Sequence, residues 1–439
     1  MCGIIVSTSD IPQNALQFIN NRGPDSTHSL NINNINFIHF LLHLTGEKTQ
    51  QPIIQDSIVC IFNGEIYNYK DIDSNSKSDV YSIIKSYIDY GDDFAKYLDG
   101  EFVIILFDFS KNKFFICSDI FKTKPLFYNI NQSNIILASY ESTCKKIKNQ
   151  DYISIKPNTQ MIFSIDTREK LSENKIHIFD LNQHKTNYND YTAALEKSIL
   201  KRYPENGIPL VTLSSGLDSG SIACCLNKYN KESLFISIPK NEDLNTLYQR
   251  KEILGEKHIF LDLSDEDKSI IKQHLHHNCE PFVWDFTYHP SLGIVEDGFS
   301  RGSMLAKSKM IDYCKKNNQN IKILFSGIGA DEIMAHNSYY SLGWGNVDSF
   351  PDDLNQVYPW KNFYEGTMDN YIRGEEYIGG CFGFETRYPY CDKQLVQEFL
   401  WLKPELKNNF KNSNYKPALH HYLDTNNFSI YHKKLGFCV

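Results

Sequence analysis

The chain has 439 residues, 22% charged and 41% hydrophobic, with a formal net charge of −8, which is long enough for two or three domains with separate cores and too acidic, without any long basic run, for a general nucleic-acid surface. Eleven cysteines without regular spacing fit a reduced compartment rather than a disulfide framework or paired Cys-x-x-Cys zinc sites. The longest apolar run, Phe102 to Phe107, is far too short to cross a bilayer, and no signal-peptide pattern opens the chain, so a cytoplasmic protein with no membrane partner is expected.

Cys2 follows the initiator Met1 and precedes the apolar Gly3-Ile4-Ile5-Val6. Removal of Met1 leaves a thiol and a free α-amine on one residue. The amine has an intrinsic pKa near neutrality and can take the thiol proton, so nucleophile and base come together. The competing reading is an inert buried cysteine at the start of a strand.

From Gly3 to about Ile165 the pattern predicts short strands at Ile4 to Ser7, Asn36 to His43, Ile58 to Phe62, Phe102 to Phe107, Lys113 to Cys117 and Ile135 to Ser139. A helix is predicted near Asp79 to Tyr90, with Val80, Ile83, Ile84 and Tyr87 on one face. Two antiparallel sheets packed together with helices outside suit this pattern. Three segments inside it carry chemistry. Arg22-Gly23-Pro24-Asp25 sets a guanidinium and a carboxylate at the two ends of a turn. Phe62-Asn63-Gly64-Glu65-Ile66-Tyr67-Asn68-Tyr69 follows an apolar strand; Asn-Gly is first of all a turn dipeptide, but an Asn amide beside a Gly N–H also makes an oxyanion hole. Ser78-Asp79 opens the helix, where the Asp79 carboxylate can hold an α-ammonium. The polar stretch Asp166 to Asn189 reads as a connection between domains.

Beyond it the texture changes to strands alternating with helices. Tyr191, Ala194, Leu195 and Ile199 mark a helix face behind Asp190 as N-cap. Strands are predicted at Ile208 to Leu213, Leu234 to Ile238, His258 to Leu263 and Ile321 to Phe325. Such repeats imply a parallel sheet with ligands at the carboxyl ends of its strands. At the first of those ends, Ser214-Ser215-Gly216-Leu217-Asp218-Ser219-Gly220 leads straight into a helix, which presents small residues and unpaired N–H groups to an anion. It lacks the lysine of a Walker loop, and Asp218 in an anion loop is costly unless a metal ion lies between. A second loop, Ser326-Gly327-Ile328-Gly329-Ala330-Asp331-Glu332, follows the last strand. His274, His276 and His277 have a spacing that does not converge three imidazoles on a metal. Glu280 and the aromatics Phe282, Trp284, Phe286 and Tyr288 border an acceptor pocket or simply pack.

Cys-Gly-Ile, Arg-Gly-Pro-Asp, Asn-Gly-Glu-Ile-Tyr-Asn and Ser-Asp, in that order, resemble the N-terminal glutaminase domain of class II glutamine amidotransferases. The loop at 214–220 resembles the Ser-Gly-Gly-x-Asp-Ser loop of ATP pyrophosphatases, with Ser215 for the first Gly and Gly220 for a small residue. With the second loop, Gly383-Phe384-Glu385-Thr386-Arg387-Tyr388-Pro389-Tyr390-Cys391-Asp392 and Tyr431-His432-Lys433-Lys434-Leu435-Gly436-Phe437, the whole chain resembles the asparagine synthetase family. The Ser-Gly-Ile-Gly-Ala-Asp-Glu spelling is similar to that of its asparagine synthetase domain-containing branch.

The resemblance implies a two-domain α/β and α+β protein: an N-terminal nucleophile αββα sandwich over 2–165, a linker over 166–189, and an α/β parallel-sheet ATP pyrophosphatase domain over 190–439. It implies glutamine hydrolysis through a thioester on Cys2, with Asn63 and Gly64 as the oxyanion hole and Arg22, His43, Glu65 and Asp79 around glutamine. It implies ATP bound by Leu213, Ser214, Ser215, Gly216, Asp218, Ser219, Ser326 and Gly327, with Mg2+ held by Asp218 and Asp331. Lys434, aligned on Phe437, supports the acyl-adenylate and the leaving pyrophosphate. Ammonia passing internally then converts aspartate to asparagine with release of AMP and pyrophosphate. The partners are small molecules, and a homodimer is compatible. Three residues depart from the family pattern: Ile328 where an acidic residue is usual, His43 where an arginine binds the glutamine carboxylate, and Ser118 where an arginine is usual. A neutral imidazole is a poorer carboxylate partner than a bidentate guanidinium, so weak glutamine binding is expected, and Ile328 leaves open another carboxylate acceptor, including an intramolecular one. A non-catalytic or regulatory descendant is the remaining alternative.

Overall fold

The computed structural model describes residues 1–285, 295–317, 320–334, 347, 349–408 and 415–429. The chain divides into two compact units, the first comprising Met1–Ile178, His276–Pro281 and Glu376–Glu385 and the second Phe179–Leu275, Phe282–Glu375 and Thr386–Val439. Two short segments from far downstream of the first 178 residues therefore belong to the first unit.

The first unit is built on two six-stranded antiparallel sheets. One runs in the order Ile153–Ser154, Phe127–Asn131, Asn134–Ala138, Gly3–Ser7, Ile35–Leu41, Ser26–Ile32. The other runs Lys170–Lys175, Thr159–Ser164, Lys113–Ser118, Gly100–Asp108, Ile58–Ile66, Ile53–Gln55. Side-chain alternation splits each central strand between two cores. Val59 and Ile61 join Ile4, Val6, Phe37, Ile105 and Leu137 between the sheets. Cys60 and Phe62 turn the other way, against Val80, Ile83, Ile84 and Tyr87 of the helix Asp79–Tyr90. Burial on both faces is why Ile58 to Phe62 is continuously apolar.

The stretch expected to be a pure connection holds the strand Lys170–Lys175, whose residues are almost all exposed. An edge strand with no apolar face gives no period-two signal. The helix expected behind an Asp190 cap spans Asn189–Lys201 with Tyr188 at the cap position, so Asp190 sits inside the first turn, paired with Lys185.

The second unit carries a five-stranded sheet in the order His258–Phe260, Leu234–Ser237, Pro209–Thr212, Ile323–Phe325, Glu385–Arg387, its first four strands parallel. Pro209–Thr212 and Ile323–Phe325 are neighbours, so the loops leaving both strand ends lie side by side. Beneath them Asp392 Oδ2 accepts from Arg202 at 2.9 Å and pairs with Lys201, while its other oxygen caps the helix Lys393–Trp401 through the N–H groups of Gln394 and Leu395 at 3.0 and 3.1 Å. Burial opposes ionisation of Asp392, but Lys201 and Arg202 outweigh it and hold the carboxyl well below the usual range.

Asp392→Ala strands two cations and uncaps a helix, and an equilibrium denaturation titration should show a loss of about 3–5 kcal/mol. Because the folded-state pKa lies below the unfolded one, this stabilisation is complete above the ordinary carboxylate range, starts to drain within it, and is gone only once the pH has fallen through the depressed folded-state pKa. The parent's stability should accordingly fall more steeply in acid than that of the alanine variant.

Candidate active site

Cys2 lies one residue ahead of the strand Gly3–Ser7, whose ladder pairing starts at Gly3 opposite Phe40. Its thiol meets the main chain of Leu42, with Sγ 3.5 Å from the amide nitrogen and 3.8 Å from the carbonyl oxygen. Burial pushes the thiol up to about 11, opposed by the positive chain terminus. The same burial lowers the Met1 α-amine to about 6. The Glu65 carboxylate acts on the Cys2 thiol, raising its pKa, as does Glu385.

Asn63 stands in the strand Ile58–Ile66, which lies across from Gly3–Ser7 in the sandwich. It is fully buried, and neither Nδ2 nor Oδ1 has a hydrogen-bond partner among the described residues. An orphaned buried amide costs about 1–3 kcal/mol, a cost that makes sense where the amide is to meet a ligand. The next residue has no tolerance for a side chain: Gly64 has φ +135°, and a Cβ there would come 1.9 Å from the Glu101 carbonyl oxygen. Asn63 and Gly64 are thus held by a rigid ladder rather than a mobile turn, although Asn-Gly reads locally as a turn.

Asp79 begins its helix with Oδ2 accepting from the Ile66 N–H at 3.2 Å and Oδ1 from the Ser78 hydroxyl at 3.2 Å. These bonds favour the anion, but burial dominates and raises Asp79 to about 7. His43 donates its backbone N–H to Asp25 Oδ2 at 2.8 Å and its ring Nε2 to the Gly46 carbonyl at 3.0 Å, so it ties the loop following Leu41. Arg22, expected at glutamine, is fully buried. Its Nε donates to the Cys2 carbonyl at 2.8 Å, and its terminal nitrogens are directed at Tyr140, Glu376 and Met1 Sδ.

In the second unit, the loop after Pro209–Thr212 leads into the helix Leu217–Lys228 with Gly216 as N-cap. Ser219 Oγ accepts from the Ser214 N–H at 3.0 Å, and Ser214 Oγ from the Gly216 N–H at 3.1 Å. Arg250 grips the loop from behind through the carbonyls of Ser214 and Gly216. Gly220 makes room for it, since a Cβ there would lie 2.5 Å from the guanidinium. Ser215 gives its N–H to Glu242 at 2.7 Å, and its hydroxyl bonds the same oxygen. Asp218 and Asp331 both reach the Nζ of Lys416, Asp331 at 2.6 Å. Gly327 packs at the Asp218 side chain, a Cβ there coming 3.0 Å from that of Asp218. Ile328 presents only its N–H, to Ser326 Oγ at 3.1 Å. Lys434, Phe286 and Tyr288 lie outside the described residues.

Lys416, Arg250 and Glu242 were not legible in the sequence. Each is a single ordinary polar residue brought to the loops by folding, and only the proline after Lys416, opening the helix Pro417–Thr425, marks a local feature there.

The first unit, with a cysteine at a strand start and a buried Asn-Gly pair across from it, has the architecture of a glutamine amidotransferase domain, and residues 1–187 match the family model described as "Glutamine amidotransferase domain". Over most of its length the chain is similar to proteins named as glutamine-hydrolysing asparagine synthetases. It is 25% identical over 433 residues to the probable asparagine synthetase [glutamine-hydrolyzing] of Schizosaccharomyces pombe, covering 93% of this chain and 75% of that one. It is 24% identical over 472 residues to asparagine synthetase [glutamine-hydrolyzing] 1 of Saccharomyces cerevisiae, covering 93% and 77%. Among solved structures, glutamine phosphoribosylpyrophosphate amidotransferase from B. subtilis aligns with a TM-score of 0.33 and 12% identity, covering 48% of this chain and 60% of that one, a likeness too slight to argue from.

If Asn63 donates to an oxyanion, Asn63→Ala should lower kcat for glutamine hydrolysis by about 10²–10³ with little change in KM. If Asp79 holds an ammonium it must be ionised, so kcat/KM for glutamine should then fall as pH drops below about 7, the value to which burial raises Asp79. Asp79→Asn should remove that limb in a pH–rate profile.

Proposed function

We propose that this chain is an ATP-dependent, glutamine-hydrolysing amidotransferase that converts aspartate to asparagine. With Met1 removed, the α-amine belongs to Cys2 and has an ordinary pKa near neutrality, which lets it act as a base. That amine takes the thiol proton, and the thiolate attacks the glutamine side-chain carbonyl. Asn63 Nδ2 and the Gly64 N–H receive the developing oxyanion, and Asp79 holds the α-ammonium. Ammonia leaves, and water releases glutamate from the thioester.

The observation that carries the second half is the convergence of Asp218 and Asp331 on one point, the Lys416 ammonium, beside the loops leaving two neighbouring strands, one of which runs into the start of the helix Leu217–Lys228. Two carboxylates within reach of one cation are a donor set that fits Mg2+. Asp218 and Asp331 would hold the ion, which when bound neutralises phosphate charge. Lys416 supplies a further fixed positive charge of the kind that favours a leaving pyrophosphate. The Ser214–Ser219 bonds and the Arg250 clamp keep the loop shaped to receive phosphate oxygens. A carboxylate activated on ATP then takes up ammonia, giving an amide, AMP and pyrophosphate. Ile328 favours a second reading of the acceptor: a side chain that neither accepts a proton nor pairs with an ammonium fits the same chemistry on a carboxylate other than aspartate.

Pyrophosphate release should be measured from the Met1-processed protein with Mg-ATP and glutamine, with and without aspartate. Release dependent on aspartate, and reduced by at least about 10²-fold in Asp218→Ala, is expected; glutamine hydrolysis without any release would turn the search to other carboxylates. Intact mass should show Met1 absent, and Cys2→Ala should abolish glutamine hydrolysis while leaving ammonia-dependent release in place.

A further inference from the structure

Arg22, Lys124, Glu101 and Glu376 form a charged cluster sealed from solvent inside the first unit, each at most 1% exposed. Glu376, on the last turns of the helix Thr367–Phe382, uses both carboxylate oxygens: Oε2 accepts from Arg22 at 3.2 Å and Oε1 from Lys124 at 3.0 Å. Its backbone carbonyl accepts from Arg22 at 3.3 Å as well. Lys124 also lies 3.7 Å from Glu101. Burial works against the Arg22 and Lys124 charges, but the acidic neighbours outweigh it and keep both cationic, joined at Arg22 by Tyr140.

What this cluster holds is the main chain of the nucleophile. Cys2 lies outside the strand ladder, which begins at Gly3, and its carbonyl is taken by Arg22 Nε at 2.8 Å. The guanidinium therefore pins the peptide plane after Cys2, the main-chain side of the residue, while the Leu42 main chain meets its thiol. The guanidinium in turn is gripped at two nitrogens by one residue, Glu376, and by the Tyr140 hydroxyl at 3.1 Å. A planar fork bound on several edges has no freedom to turn.

We propose that Glu376, 354 positions after Arg22, is a positioning residue for the Cys2 nucleophile, acting through Arg22 on the Cys2 carbonyl. The inference rests on the glutaminase reading given above and deepens it. The nucleophile's geometry is completed by a residue far beyond the 1–187 span of the amidotransferase domain match.

The test uses the full-length, Met1-free protein as parent, Glu376→Gln and Glu376→Asp. Active sites are counted by covalent titration with a diazoketone analogue of glutamine, and kcat and KM are expressed per titrated site. In parallel, the rate of Cys2 alkylation by iodoacetamide is followed by peptide mass spectrometry. Glu376→Gln keeps shape and loses charge; kcat per site is expected to fall about tenfold with KM within about twofold, and Cys2 alkylation to slow severalfold. Glu376→Asp, which keeps the charge, should recover part of both. A merely structural role would lower melting temperature and the number of titratable sites but leave per-site kcat and the alkylation rate at parent values, and that result overturns the proposal. Failure of the parent itself to hydrolyse glutamine would instead overturn the glutaminase reading, and the alkylation rates of parent and variants would still decide the role of Glu376.

Discussion

Arg22 and Lys124 are cations with no access to water, and Glu376 places one carboxylate oxygen on each of them. Moving such charges out of water is expensive, and the expense is tolerable only when every partner is in place; removal of one partner from a buried pair typically costs about 3–5 kcal/mol. The consequence is that the N-terminal unit is not a contiguous piece of chain. It needs the segment Glu376–Glu385 to balance charges that its first 178 residues bury. The same bonds reach the Cys2 carbonyl, so the charge balance of the unit and the placing of the Cys2 main chain share one set of contacts.

The two candidate sites are built on a common plan. Both hang reactive groups on or just past the strands of a sheet, and both carry groups set in unusual surroundings. In the first unit these are the orphaned Asn63 amide, the Gly64 backbone pressed against Glu101, and Asp79, which burial raises to about 7. In the second they are two carboxylates brought to one ammonium beside a loop of small residues. Groups in such states are where a fold gives up stability to chemistry. Ile328 stands apart from this plan: its side chain has no chemistry to offer, and only its N–H is used in the loop.

Some of this could be read directly from residue order. The helix at Asp79–Tyr90 shows its apolar face plainly, and the strand Ile58–Ile66 shows itself by continuous apolar residues buried on both sides. Cys2, Asp218 and Asp331 are visible because each lies in a short motif with a local cause, a terminus or a helix start, and Asn63 because an Asn-Gly pair follows a continuous apolar run, although the strand carries on to Ile66. The polar edge strand Lys170–Lys175 gave no periodic signal because it has no buried face, and Asp190 looked like a cap although the helix starts one residue earlier, at Asn189, leaving Asp190 in the first turn beside Lys185.

The sequence by itself determined the order of elements, the antiparallel and parallel halves, and the residues that carry reactive atoms, since these depend on side-chain period and on neighbours a few positions apart. Tertiary structure alone decided what those atoms meet. Lys416 between two aspartates, Arg250 behind the Ser214 loop and Glu376 behind Arg22 are each ordinary in their own segments. They become part of a site only because burial removes water as an alternative partner, which leaves a charged group no stable place except beside its opposite, however far along the chain that opposite lies.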